Sequence, residues 1–189
     1  IVRGGLSFLL SGGLDVADVI LVPHACDSLQ GLGSLLTDFM DVKKPILTLY
    51  SPRGPEASSI AFLAAEIRRL YERLAEITGR RPDDGTLLAA VEREEAADAL
   101  LGRLLAERRA IDLDDRQFYR FVRSREYLPA EDFARHISAL LAGVDGKERA
   151  GTGILLSGIV PEPMELLDTL TAAGAVVVAD DLACAGRRL

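Results

Sequence analysis

The sequence has few of the residues that would declare its chemistry outright. It carries two cysteines, Cys26 and Cys184, too few and too far apart for a disulfide framework. Without a secretory leader they read as reduced thiols, with reactive or metal-binding roles as the exceptions, and the expected compartment is the cytoplasm. No apolar run approaches the ~20 residues needed to cross a bilayer, so no membrane partner is expected. The N-terminal IVRGGLSFLLSGG has a short apolar core broken by glycines, which suits a helix or loop better than a signal segment. Positive charge is also scarce: the net charge is −7, and Lys and Arg alternate with Asp and Glu, as in ERLAEITGRRPDD. A phosphate backbone needs a matching positive field, so nucleic acid is excluded as an expected partner. There is no CxxC or HExxH spacing, no P-loop and no GxSxG elbow. Internal repeats and low-complexity tracts are absent as well. An initiating Met is missing, which favours a processed chain or a piece of a longer polypeptide.

What is present is a chain of 189 residues, 49% hydrophobic and 27% charged, which suits one ordinary folded domain or two small ones. Four short apolar runs rich in β-branched residues read as buried strands: Val19–Val22, Ile46–Tyr50, Ile154–Ser157 and Ala175–Ala179. LQGLGSLLTDFM separates the first two and MELLDTLTAAG the last two, each with apolar residues at helical spacing. Strand–helix–strand twice over predicts two parallel crossover units, with Gly174 as a helix stop. From Pro55 to about Ala142 the pattern is helical. One helix carries Ile60, Leu63, Ile67, Leu70, Leu74 and Ile77 and ends at Gly79. A second follows Thr86 with Leu87, Val91, Leu101, Leu104 and Leu105. A shorter one follows Pro129 with Phe133, Ile137, Leu140 and Leu141, and Asp145-Gly146 marks a turn.

The fold class is therefore α/β, with Rossmann-like parallel-sheet units flanking a helical segment. Residues 1–54 form part of a first α/β domain, 55–148 the helical segment, and 149–189 the start of a second α/β domain. Two strands cannot make a self-sufficient parallel sheet. Either all four join one sheet, or each pair belongs to a sheet completed elsewhere.

Two segments could carry chemistry. His24-Ala25-Cys26-Asp27-Ser28 lies between a strand and a helix, and ligands of open α/β sheets bind beyond the carboxyl ends of strands. A sulfur near a helix N-terminus suits a nucleophile or a metal ligand, because the helix dipole favours negative charge there. The alternative is a buried, inert thiol in a turn. Asp27 and Ser28 could simply cap the helix, and His24 could be a ligand, an acid/base or a surface residue. Gly31 and Gly33 suit close helix packing better than a nucleotide loop. In the second segment, Asp180 to Arg188, adjacent carboxylates could bind a cation or hydroxyl, with arginines attracting anions, or the whole could be a solvated turn. Arg53, in the turn Ser51-Pro52-Arg53-Gly54-Pro55, could line the same crevice as the first segment or be a plain surface arginine. Cys26 and Cys184 alone would be an incomplete thiolate site.

The order of motifs resembles the family of the 2-hydroxyglutaryl-CoA dehydratase D-component and the benzoyl-CoA reductase subunits. VILVPHACDSLQGL, ILTLYSPRG, the helix ending EITGR, LLAAVEREEAADALLGRLL and ILLSGIVPEP…AAGAVVVADDLACAGRR follow one another in the family's order. The resemblance implies two Rossmann-like domains with a helical portion, in a longer subunit that pairs with a homologous one. It implies a [4Fe–4S] cluster held by three cysteines, and a separate ATP-hydrolysing iron–sulfur activator that delivers one electron to an acyl-CoA thioester. Cys26-Asp27 matches the family's Cys-Asp motif, so Cys26 inherits the ligand role. At Cys184 the spacing is displaced by one residue, which makes it a site-lining thiol beside Asp181, with His24, Asp27 and Arg53 as further lining residues. The other cluster cysteines are expected outside the chain, and no catalytic acid or base carries over. The alternative is a non-catalytic partner or scaffold subunit that has lost the cluster site.

Overall fold

The computed structural model describes residues 2–54, 56–144 and 146–189. The expected helical start at Pro55 and the expected turn at Asp145-Gly146 each fall on a residue outside these. The chain is mixed α/β and divides into two compact units, Ile1–Arg81 and Pro82–Leu189.

The first unit contains α1 (Val2–Leu10), β1 (Ile20–His24), α2 (Asp27–Ser34), a π-helical turn (Leu35–Phe39), β2 (Ile46–Tyr50) and α3 (Ala57–Thr78). β1 and β2 are parallel, in register from Ile20 opposite Ile46 to His24 opposite Tyr50. Ile46–Tyr50 coincides with the expected strand, whereas β1 runs on through Pro23 and His24. Val22 and Leu47 are the strand residues that become buried. Gly33 explains how closely α2 lies on β1. A Cβ there would stand 3.1 Å from His24 Nε2 and 3.7 Å from a Val22 methyl carbon, so close packing holds at Gly33 but not at Gly31, where a Cβ would meet nothing within 4 Å. Thr37 Oγ1 donates to the Gly33 carbonyl at 3.0 Å within the π turn, where its hydroxyl competes with the backbone ladder.

Two side chains tie this unit's loops and strands together. Lys44 Nζ donates to the carbonyls of Leu14, Asp15 and Ala17, gathering the α1–β1 loop around one ammonium. On α3, Arg69 donates to the Thr48 carbonyl at 2.7 Å, and Glu66 accepts the Tyr50 N–H at 3.3 Å. Residues two apart face the same side of a strand, so α3 covers main-chain groups along one side of β2. α3 ends at Gly79, in the left-handed region with φ 66° that favours glycine, as the sequence predicts.

The second unit contains α4 (Asp84–Ala106), α5 (Asp115–Ser124), α6 (Ala130–Ala142), β3 (Thr152–Leu156), α7 (Glu165–Ala172) and β4 (Ala175–Asp180). α4 begins two residues before Thr86, because the Asp83 carboxylate accepts the Thr86 N–H at 2.8 Å as an N-cap. The three helices expected in the helical segment do not include α5 as a separate one. This helix opens on a capping box in which Asp114 and Gln117 exchange side-chain and backbone hydrogen bonds. β3 and β4 are parallel with a register irregularity between Ile154 and Leu155, and the left-handed Gly174 precedes β4. The four strands thus form two separate two-stranded sheets among the described residues, not one sheet. Leu101, Leu104, Phe133 and Ile137 enter a continuous core with Phe118, Tyr119, Val122, Leu167, Val177 and Leu182.

Buried charge closes this core. Asp115, at the start of α5, accepts from Arg149 at 2.6 Å and from the Val177 N–H at 2.9 Å, fastening the helix to β4. Asp180, at the end of β4, accepts from Arg108 at 2.5 Å and Tyr119 at 2.7 Å through one oxygen. Its other oxygen accepts the N–H groups of Leu182 and Gly186 at 3.1 and 3.0 Å. Both oxygens of the carboxylate are therefore engaged inside the protein.

Candidate functional site

The carboxyl end of β1 is the more open of the two candidate positions. Its extended backbone passes directly into α2, and Cys26, at φ −154° and ψ 164°, is the N-cap residue. Small polar side chains at this place usually accept an N–H from the first turn. The Cys26 sulfur makes no such bond, and the thiol is free and exposed. The Cys26 carbonyl accepts the Gln30 N–H at 3.0 Å, so its backbone is fixed while its side chain is not. Asp27 follows as the first helical residue, also exposed, where its charge suits the helix N-terminus.

His24 sits one residue before this turn and faces the other strand end. Its ring meets the edge of Tyr50 with centroids 4.1 Å apart and planes at 60°. Both ring nitrogens are shielded and lack a hydrogen-bond partner among the described residues. The imidazole thus packs between Tyr50 and Gly33 and joins the ends of the paired strands. Tyr50 also borders a cavity of about 400 Å³ with Ser51, Pro52, Ser58, Ser59 and Phe62. Arg53 lies in the exposed turn beside it. Its carbonyl accepts the Ser59 hydroxyl at 3.4 Å, and Gly54 turns the chain at φ 93°. Adjacent strand ends in one unit therefore carry His24, Cys26 and Asp27 on one side and Arg53 on the other.

The second segment is built differently. Asp181 is exposed and bonds outward: the Ser157 hydroxyl and Gly158 N–H, then Arg187, hold its carboxyl below the usual carboxylate range. Its neighbour Asp180 turns inward, so the two carboxylates do not converge on a common cation. Burial opposes the charged form of Asp180, but the Tyr119 and Arg108 hydrogen bonds outweigh it and lower its pKa. The same arrangement, with burial foremost, pushes the Tyr119 phenol up. Cys184 is 2% exposed within the core. Burial and then the Glu126 charge raise its thiol, so it stays protonated and poorly reactive at neutral pH. Arg187 is engaged by Asp181, and Arg188 donates to Asp98 at 3.1 Å. Arg108 and Tyr119 are the partners that the sequence does not reveal, since no spacing rule connects positions 72 and 61 residues from Asp180.

The donor set bears on any metal group. Among the described residues no three His, Cys, Asp or Glu side chains converge as a metal site. Cys26 offers one accessible sulfur and Cys184 offers none. A thiolate-held cluster requires more ligands than that.

A pair of parallel strand–helix–strand units, with Cys-Asp at an open strand end, defines an α/β protein with a candidate ligand position beyond β1. No helix among the described residues is long and apolar enough to cross a membrane. The chain belongs to the 2-hydroxyglutaryl-CoA dehydratase D-component family, which matches residues 1–189. That membership makes it a component of a multi-subunit enzyme of the 2-hydroxyacyl-CoA dehydratase type. No curated protein sequence matches it.

Proposed function

We propose that the chain is an iron–sulfur subunit acting on acyl-CoA thioesters, either in a 2-hydroxyacyl-CoA dehydratase or in the related benzoyl-CoA reductase type of enzyme. The observation that carries this reading is the free sulfur of Cys26 at the N-cap of α2, within a family of dehydratase components. Cys26 would hold one iron of a [4Fe–4S] cluster, with the remaining thiolates supplied from outside the described residues. When bound, such a cluster supplies single electrons to a thioester carbonyl.

The chain's own residues have plainer roles. The Cys26 backbone is fixed by Gln30, His24 braces the two strand ends through Tyr50, and Arg53 and Asp27 line the opening with opposite charge. At the second strand end only the exposed Asp181 is available to line a site, because the Cys184 sulfur is enclosed in the core. Residues 1–54 and 149–189 are assigned to the first and second Rossmann-like domains, joined by the helical segment 55–148. Support comes from two parallel sheets, each too small to stand as a complete one. The partners in this reading are an acyl-CoA substrate, a paired homologous subunit and an ATP-hydrolysing iron–sulfur activator. Free thiols fit a reducing compartment, the cytoplasm.

Iron content tests the assignment. The full-length protein, purified anaerobically, is expected to contain about four irons per subunit. Cys26→Ala should lose iron while Cys184→Ala retains it. Full iron in Cys26→Ala overturns the ligand role, and an iron-free wild type points instead to a non-catalytic scaffold subunit.

A further inference from the structure

The helical region holds a pocket that the cluster reading does not use. α5 has two working faces. Phe118, Tyr119 and Val122 point into the core, whereas Gln117, Arg120, Phe121 and Ser124, at three- and four-residue steps, face a separate cavity of about 460 Å³. This volume lies within the range of small-molecule sites. Leu113, Phe121 and Leu128 give it an apolar lining, and Tyr127, 71% exposed, stands at its rim. Ser124 contributes little polarity, because its hydroxyl donates back to the Phe121 carbonyl at 2.6 Å.

The basic side chains of the lining have no acidic counterpart there among the described residues. Arg120 and His136 line the pocket, and no carboxylate does. This is unusual in a chain of net charge −7. In the second unit ten of twelve arginines lie in ion pairs with described carboxylates. Arg120 has no such pair among the described residues. An unneutralised guanidinium beside a histidine and over an apolar floor offers N–H donors to an anion and a dry surface to its hydrocarbon part.

We propose that this pocket binds a small organic carboxylate with an apolar body, its charge toward Arg120 and His136 and its body against Leu113, Phe121 and Leu128. The site belongs to the second unit alone and stands whether or not Cys26 holds a cluster.

Octanoate and octanol, followed by NMR of the imidazole C–H signals in the full chain, distinguish this from general apolar binding. The chain has two histidines, so His24 serves as an internal reference. Octanoate should shift His136 saturably and leave His24 in place, while octanol should bind at least about tenfold more weakly. Arg120→Gln, at an exposed position without an ion pair, should retain the fold and weaken octanoate by about tenfold. The proposal is overturned by an absent or non-saturable His136 shift, by equal shifts at His24, by octanol binding as tightly as octanoate, or by unchanged affinity in Arg120→Gln.

Discussion

The two units share a strand–helix–strand pattern but differ in what they bury. The second holds all fifteen described residues of the continuous core, whereas the first buries Val22, Leu36, Leu47 and Ala75 among its described hydrophobic residues. On α3, Ile60 and Ile67 repeat at helical spacing yet remain 67% and 53% exposed. Periodicity therefore creates an apolar face in both units, but it becomes a core only where another element covers it. Stability should follow burial and not pattern, and the accessible thiol lies on the side with less of it.

Thiol reactivity gives the largest expected contrast. Cys26 should react with a disulfide reagent at the rate of an exposed thiol. Cys184 should wait for opening of the core and react slower by about 10³-fold or more. Comparable rates in the native protein would dissolve the distinction between the units. Next in size is Asp180→Ala, which leaves Arg108 buried without its partner and should cost about 3–5 kcal/mol in urea unfolding.

Asp180 also predicts a pH dependence. Its folded-state pKa is depressed, so its stabilisation is present above the unfolded carboxylate value of about 3.9 and is lost as pH falls through the folded value. Asp180→Asn should flatten that part of the acid unfolding curve, and an unchanged acid limb would refute the coupling. Gly186→Ala should destabilise the same unit by about 1–3 kcal/mol. A Cβ there would stand 2.1 Å from the Asp180 carbonyl oxygen, which is backbone and cannot swing aside. The smallest effect is the most direct comparison. Ile137→Val, fully buried, should cost about 0.5–1.5 kcal/mol, while Ile67→Val on exposed α3 should lie within about 0.5 kcal/mol of wild type. Equal losses at both positions would show that α3 is covered in solution.

Much of this framework is legible in the order of the amino acids. The four strands lie within two residues of the β-branched runs, and Gly79 and Gly174 mark their turns because glycine alone enters the left-handed region without strain. α5 is legible too: Phe118, Tyr119 and Val122 recur at helical spacing between charged residues, and Asp114 followed by Gln117 is the start signal that separates it from the rest of the helical stretch. β3 starts earlier than expected, at Thr152, because Gly153 carries no strand signal. A Cβ at Gly153 would stand 3.1 Å from a Val178 methyl carbon, so close packing favours glycine there. At the candidate site, the placement of Cys26 follows from local order alone. The burial of Cys184 depends on how the chain turns back after β4, which long-range bonds to Arg108 and Tyr119 decide.

The inward carboxylate of Asp180 has a consequence for ligand access. It acts as a resident anion, occupying the donors at the end of β4 that an incoming phosphate or carboxylate would otherwise meet. Any visitor there must first evict a tethered competitor whose local concentration never falls. At the end of β1 no tethered group among the described residues takes the Cys26 sulfur, so that strand end stays open by comparison.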